Sequence, residues 1–178
     1  MNYILIFFIT TFAIYAQNSP SLIDSNKSDY FLTISSVKKI EAETFNKKSQ
    51  GMKIENCSEG GKHLAYINNG HWIMFKGIKN PDSFSRFTAR VSCGNNHGGT
   101  IEIRMGSQTG ELIGSCHVKP TGGWTNWESV SCEIKELKST VNLYLVFTGN
   151  ANGIFNLNWF GFEKGATKIK KSPKLIYI

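Results

Sequence analysis

The stretch Arg86-Phe-Thr-Ala-Arg-Val91, read with Thr100-Ile-Glu-Ile-Arg-Met105, decides the fold. Phe87, Ala89 and Val91 alternate with Arg86, Thr88 and Arg90, and Ile101, Ile103 and Met105 alternate with Thr100, Glu102 and Arg104. Successive side chains of a strand point to opposite faces, so a period of two predicts strands with one buried and one wet face. Working outward, the same pattern predicts strands at 112–118, 127–134 and 141–148, the last with Val141, Leu143, Leu145 and Phe147 on one face, and a final strand at 155–162. Between them lie Asn69-Gly70, Cys93-Gly-Asn-Asn-His-Gly-Gly99, Thr109-Gly110, Pro120-Thr-Gly-Gly123 and Gly149-Asn-Ala-Asn-Gly153. Glycine and asparagine tolerate positive φ, so each is a turn or loop. Helical periodicity is scarcely present. Many short strands with regular turn signals indicate an all-β sandwich, in which two sheets bury their apolar faces against each other.

The chain of 178 residues has room for one domain with a sizeable core. Residues 1–16 form an apolar run ending in small residues before Gln17. The run is too short for a membrane span and reads as a signal peptide, with a buried strand or an uncleaved anchor as the alternatives. Residues 17–36 are rich in Asn, Ser and Asp and read as a spacer. The patterned domain covers 37–164, and 165–178 is a basic tail or an extra strand. A secreted, extracellular protein follows from the leader. The formal charge of +7 permits attraction to acidic polymers, but the lysines are spread along the chain and form no nucleic-acid motif.

The four cysteines, Cys57, Cys93, Cys116 and Cys132, follow the leader, which allows up to two disulfides and three full pairings. Cys116 and Cys132 fall on the apolar phase of neighbouring strands and are the preferred pair. Without a C-x-x-C, and with His63, His71, His97 and His117 scattered among them, they make no zinc cluster.

Three loop regions carry the polar and aromatic groups that a sugar needs: Tyr66-Ile-Asn-Asn-Gly-His-Trp72, Thr121-Gly-Gly-Trp-Thr-Asn-Trp127 and Gly149-Asn-Ala-Asn-Gly153. A pyranose presents a face of C–H groups and a rim of hydroxyls, matched by a flat aromatic plate and by amides that both donate and accept. Trp124, after two glycines, belongs at an exposed loop tip, whereas Trp127 reads as packed. Asn68 and Glu55 are further polar candidates. Glu41 and Glu43 of Ile40-Glu-Ala-Glu43 lie on one face if the segment is extended, as ligands of a hard cation would. Asn26-Lys-Ser and Asn56-Cys-Ser fit the N-glycosylation pattern.

Across residues 37–164 the chain resembles family 6 carbohydrate-binding modules. The likeness rests on Ile40-Glu-Ala-Glu, then Gly61-Lys-His-Leu-Ala-Tyr-Ile-Asn-Asn-Gly-His-Trp, Gly99-Thr-Ile-Glu-Ile-Arg, Thr109-Gly-Glu-Leu-Ile-Gly, Thr121-Gly-Gly-Trp-Thr-Asn-Trp and Phe155-Asn-Leu-Asn-Trp-Phe-Gly-Phe, in that order. The resemblance implies a jelly roll of two antiparallel sheets and a non-catalytic cleft in which Tyr66 and Trp124 clasp a sugar ring and Asn152 hydrogen-bonds it. Glu55 matches the place of an acidic partner for a terminal sugar. It also implies a structural calcium held by Glu41, Glu43 and a last-strand aspartate, which here is Asn158. His71 departs as well, standing where an aspartate is common. The implied function is binding of an extracellular polysaccharide or oligosaccharide by a chain that can act as a monomer. A glycan-active hydrolase and a protein-interaction sandwich without sugar binding are the competing readings.

Overall fold

A computed structural model of the chain describes residues 30–32, 38–79, 84–135, 140–163 and 167–169. Among the described residues, thirteen strands run in the order β1 (Tyr30–Leu32), β2 (Lys38–Glu41), β3 (Lys47–Lys48), β4 (Lys53–Asn56), β5 (Lys62–Ala65), β6 (Trp72–Ile78), β7 (Arg86–Cys93), β8 (Gly99–Met105), β9 (Leu112–Val118), β10 (Gly123–Glu133), β11 (Val141–Thr148), β12 (Asn156–Glu163) and β13 (Thr167–Ile169). One antiparallel sheet has the order β10-β7-β12-β5-β4, with β2 also on β12, and the other has the order β3-β6-β11-β8-β9. The fold is the expected all-β sandwich of two antiparallel sheets. Among the described residues, no helix is long and apolar enough to cross a membrane.

The inward phase of both sheets supplies the core. Ile101, Ile103, Leu143, Leu145 and Phe147 of one sheet and Phe87, Ala89, Val91, Leu157 and Phe160 of the other are fully buried. Phe75 of β6 meets Phe160 of β12 edge-on at 4.9 Å, and Phe87 of β7 stacks with Phe160 at 5.7 Å, so rings from both layers meet in the core. Burial of this apolar surface is the main stabilising term. Thr88 was expected on a wet face but is 6 % exposed, because β7 is an interior strand and its hydroxyl is hydrogen-bonded to Ser131 and Glu163.

One local expectation changes. The extended reading of Ile40-Glu-Ala-Glu43 fails at Glu41, where β2 ends and Ala42–Thr44 form a 3-10 turn. The Thr44 hydroxyl donates to the Glu41 carbonyl at 2.7 Å and closes that turn, so Glu41 and Glu43 do not share a strand face. Within the Asn- and Ser-rich 17–36, Tyr30–Leu32 pairs with Thr167–Ile169 of the basic tail as a two-stranded ribbon. The β-prone pair Tyr30 and Phe31 is hidden when composition is averaged over the whole segment. The apolar leader at 1–16 lies outside the described residues.

All four thiols are free. Gly114 bridges Ile134 antiparallel where β9 of one sheet meets β10 of the other, and the same register sets Cys116 opposite Cys132. Their side chains hydrogen-bond to each other, which pushes the buried Cys116 thiol up and holds Cys132 down. Cys93 is engaged elsewhere, donating to the Ile154 carbonyl at 3.1 Å.

Candidate functional site

Three loops converge at one edge of the sandwich, each tied to the next through asparagine. Tyr66 follows β5 and takes φ of 57°, the one non-glycine residue at positive φ among those described. A bulky residue held there marks strain that the surrounding structure must enforce. The bonds after it do so: Asn68 accepts the Gly153 N–H at 2.7 Å, Asn69 accepts the Gly149 N–H at 3.1 Å, and Ile154 N–H donates to the Ile67 carbonyl at 2.8 Å. The Lys53 ammonium lies 4.5 Å from the centre of the Tyr66 ring, a cation–π contact from the adjoining β4. Tyr66 itself is 52 % exposed.

Trp124 sits in a register break of β10, between the pairs Gly123↔Cys93 and Trp127↔Ser92. Its main-chain carbonyl is held by the Ser92 hydroxyl at 2.7 Å and the Asn156 amide at 3.1 Å, while the indole is 44 % exposed. The ring lies on the backbone of Gly94, where a Cβ would come within 2.6 Å of its Nε1 and Cε2. The loop carrying Gly94 is pinned in turn by Asn95, whose amide donates to the Gly153 and Ile154 carbonyls at 2.8 Å and whose oxygen accepts the His97 and Gly98 N–H groups.

The result is an open cleft of about 580 Å³ lined by Glu55, Ala65, Tyr66, Asn68, Trp124, Asn152, Gly153 and Asn156. The four residues singled out as sugar contacts, Glu55, Tyr66, Trp124 and Asn152, thus share one cavity, with Asn68 beside them. Gly94, Asn95 and Asn156 were not picked out from sequence. Their roles depend on β7 and β12 lying side by side, and the only local signal was the abundance of Gly and Asn at 93–99. Trp127 is half-buried away from the cleft; its indole N–H donates to Ser58 at 2.8 Å and its ring meets His63 edge-on at 5.1 Å. Asn56 is exposed on β4, next to Glu55.

The residues considered for calcium lie elsewhere, where the 3-10 turn packs on β5 and β12. Glu43 has one carboxylate oxygen, Oε2, buried without a hydrogen-bond partner. Asn158 is 3 % exposed, and its amide donates to Glu59 at 3.4 Å. Glu41 pairs with Lys39 at 2.9 Å, with both side chains over 40 % exposed. Among the described residues no three His, Cys, Asp or Glu side chains cluster as a metal group.

Two exposed aromatic plates, a rim of carboxamides and a single carboxylate, all set on a rigid sandwich, define a non-catalytic carbohydrate-binding module. The family model of carbohydrate binding module (family 6) matches residues 41–164, and the chain belongs to that family. It is 40 % identical to a family 6 carbohydrate-binding module from Clostridium cellulolyticum solved in complex with xylose, with a TM-score of 0.67 over 70 % of this chain and 95 % of that one. A beta-1,3-glucan binding module from Bacillus halodurans is 34 % identical, with a TM-score of 0.67 over 72 % of this chain and 96 % of that one. Endo-1,4-beta-xylanase A of Thermoclostridium stercorarium is 32 % identical over 136 residues, which are 76 % of this chain and 20 % of the xylanase. The chain therefore spans about a fifth of the length of that relative.

Proposed function

We propose that this protein is secreted and binds a β-linked polysaccharide of the xylan or glucan type, with Tyr66 and Trp124 gripping one sugar unit between them. The observation that carries the reading is the pair of large aromatic side chains, about half exposed, lining one cleft with Asn68, Asn152, Asn156 and Glu55. Water leaves the C–H face of the ring and the aromatic plates together, while the amides bond the hydroxyls and select their orientation. Similarity to modules solved with xylose and described as beta-1,3-glucan binding supports this substrate class. Titration calorimetry against xylan, laminarin and cello-oligosaccharides tests it, alongside an assay for released sugar. Binding without product release is the expected result, and release of sugar would move the protein to the hydrolases.

A structural calcium fits the orphaned oxygen of Glu43, because a buried polar atom without a partner is costly unless a cation meets it. Glu43, Glu41 and the carboxamide oxygen of Asn158 would hold the ion, and backbone carbonyls or water would complete the six to eight oxygens calcium takes. The exposed Lys39 pair is weak and yields Glu41 readily. The ion would fasten the 3-10 turn to β12 without entering the cleft. At a hundredfold excess over its Kd, calcium is expected to add about 2.7 kcal/mol of stability. A chelator should then lower the melting temperature by several degrees, and Glu43→Gln should abolish that response.

Oxidation would join Cys116 to Cys132 across the seam between the sheets. The half-buried Cys132, held toward its thiolate by the bond from Cys116, attacks a small disulfide such as oxidised glutathione and releases one thiol. Cys116 then displaces the second thiol, so two protein thiols become one disulfide. Closing a loop of this length is expected to add about 3 kcal/mol. Melting with and without reductant should differ by several degrees in the wild type and not at all in Cys132→Ser.

A further inference from the structure

His71 closes the turn that presents Tyr66. Its main-chain N–H donates to the Asn68 carbonyl at 3.1 Å, and its ring Nδ1 accepts the Asn68 N–H at 3.1 Å, so the two residues hold each other by a reciprocal pair of bonds. An imidazole nitrogen accepts a hydrogen bond only while it carries no proton, so the arrangement requires the neutral ring with its hydrogen on Nε2. Asn68 passes the constraint on. Its side chain holds the Gly153 N–H at 2.7 Å, and Gly153 lies beneath Trp124, where a Cβ would be 3.5 Å from the indole Cη2. One ring nitrogen therefore sits at the head of a chain of contacts that reaches both aromatic plates of the cleft.

We propose that His71 is the positioning residue of the cleft and makes its hold on sugar dependent on pH: a proton on Nδ1 turns the acceptor of the Asn68 N–H into a donor facing it. The Tyr66 turn and the Asn68 tie under Trp124 are then released together. This rests on the reading of the cleft as the sugar site.

The surroundings of the ring keep it neutral. Burial pushes its pKa below the ordinary 6.5, and the positive charge of Lys48 on β3 adds to the effect. The Tyr66 carbonyl, hydrogen-bonded to the ring, favours the protonated form but does not prevail. Lys48 is itself fixed, donating to the carbonyls of Ser49 at 3.3 Å and Met52 at 3.1 Å. On the remaining side the ring abuts the backbone of Gly51, whose Cβ would be 3.1 Å from Cε1. With the folded value depressed, the neutral form is fully present above pH 6.5 and is lost as pH falls below it through the folded pKa. Affinity is therefore steady at neutral pH and declines on acidification.

The test is calorimetric affinity for xylohexaose and laminarihexaose from about pH 7.5 to about 5.0, in the wild type and in His71→Asp, with a melt at each pH. An aspartate carboxylate can accept the same N–H and stays ionised over this range. The wild type is expected to lose about fivefold or more in affinity toward the acid end, the effect of one hydrogen bond. His71→Asp should bind at neutral pH with a flat profile. A folded wild type that binds equally well across the range overturns the role of His71, as does a variant whose profile matches the wild type. In the latter case the titration belongs to another group, such as His63. Absence of binding to either sugar at neutral pH would instead overturn the sugar-site reading on which the role depends.

Discussion

Trp124→Ala is expected to weaken glycan binding at least about thirtyfold, the loss of a 2 kcal/mol hot spot, while the melting temperature stays close to that of the wild type. The indole is 44 % exposed and belongs to the cleft rather than to the core, so its removal opens no internal cavity. What holds the loop in place is main chain: the Trp124 carbonyl keeps its bonds from Ser92 and Asn156 whatever the side chain. Calorimetry and a thermal melt of the same sample separate the two effects. Wild-type affinity in the variant would place the sugar on another surface.

Gly94→Ala is expected to cost tenfold or more in affinity although it deletes nothing. Its new methyl would stand 2.6 Å from Nε1 and Cε2 of the Trp124 indole, far inside contact distance, and the ring must swing off its seat. Gly94 is not among the glycines at positive φ, so the backbone accepts alanine, and the nearest atoms in its way belong to the exposed Trp124 side chain. The fold therefore persists while the plate is misplaced. A shift in tryptophan fluorescence should accompany the loss, and a variant with unchanged emission and affinity would show that the indole binds sugar from some other position.

The strands from β7 to β12 could be read from alternation because their inward faces are apolar, with 112–118 and 141–148 coinciding with β9 and β11, whereas β3 to β6 went unread and β10 begins at Gly123, four residues before the predicted start. What could not be read depends on neighbours distant in sequence. The turn after Glu41 comes from a single hydroxyl, Thr44, reaching back to a carbonyl, and alternation carries no trace of it. Tyr66 and Trp124 were recognisable as sugar-type residues, but their meeting requires β5, β7, β10 and β12 to lie in one sheet. Gly94 looked like a turn residue and serves as a seat, a distinction that exists only once an indole 30 positions later is laid on it. His71 was visible as a departure from the related pattern; its bond to Asn68 was not.

The ribbon of β1 and β13 has a mechanical consequence. Tyr30 pairs with Ile169 in β1 and β13, and Lys38 pairs with Phe162 in β2 and β12, so residues before the first long strands are tied twice to residues in or after the last one. A pull on both ends loads these hydrogen bonds one rung at a time instead of all at once. Opening of the β1–β13 rungs leaves the cleft lining untouched, because none of its residues belongs to either strand.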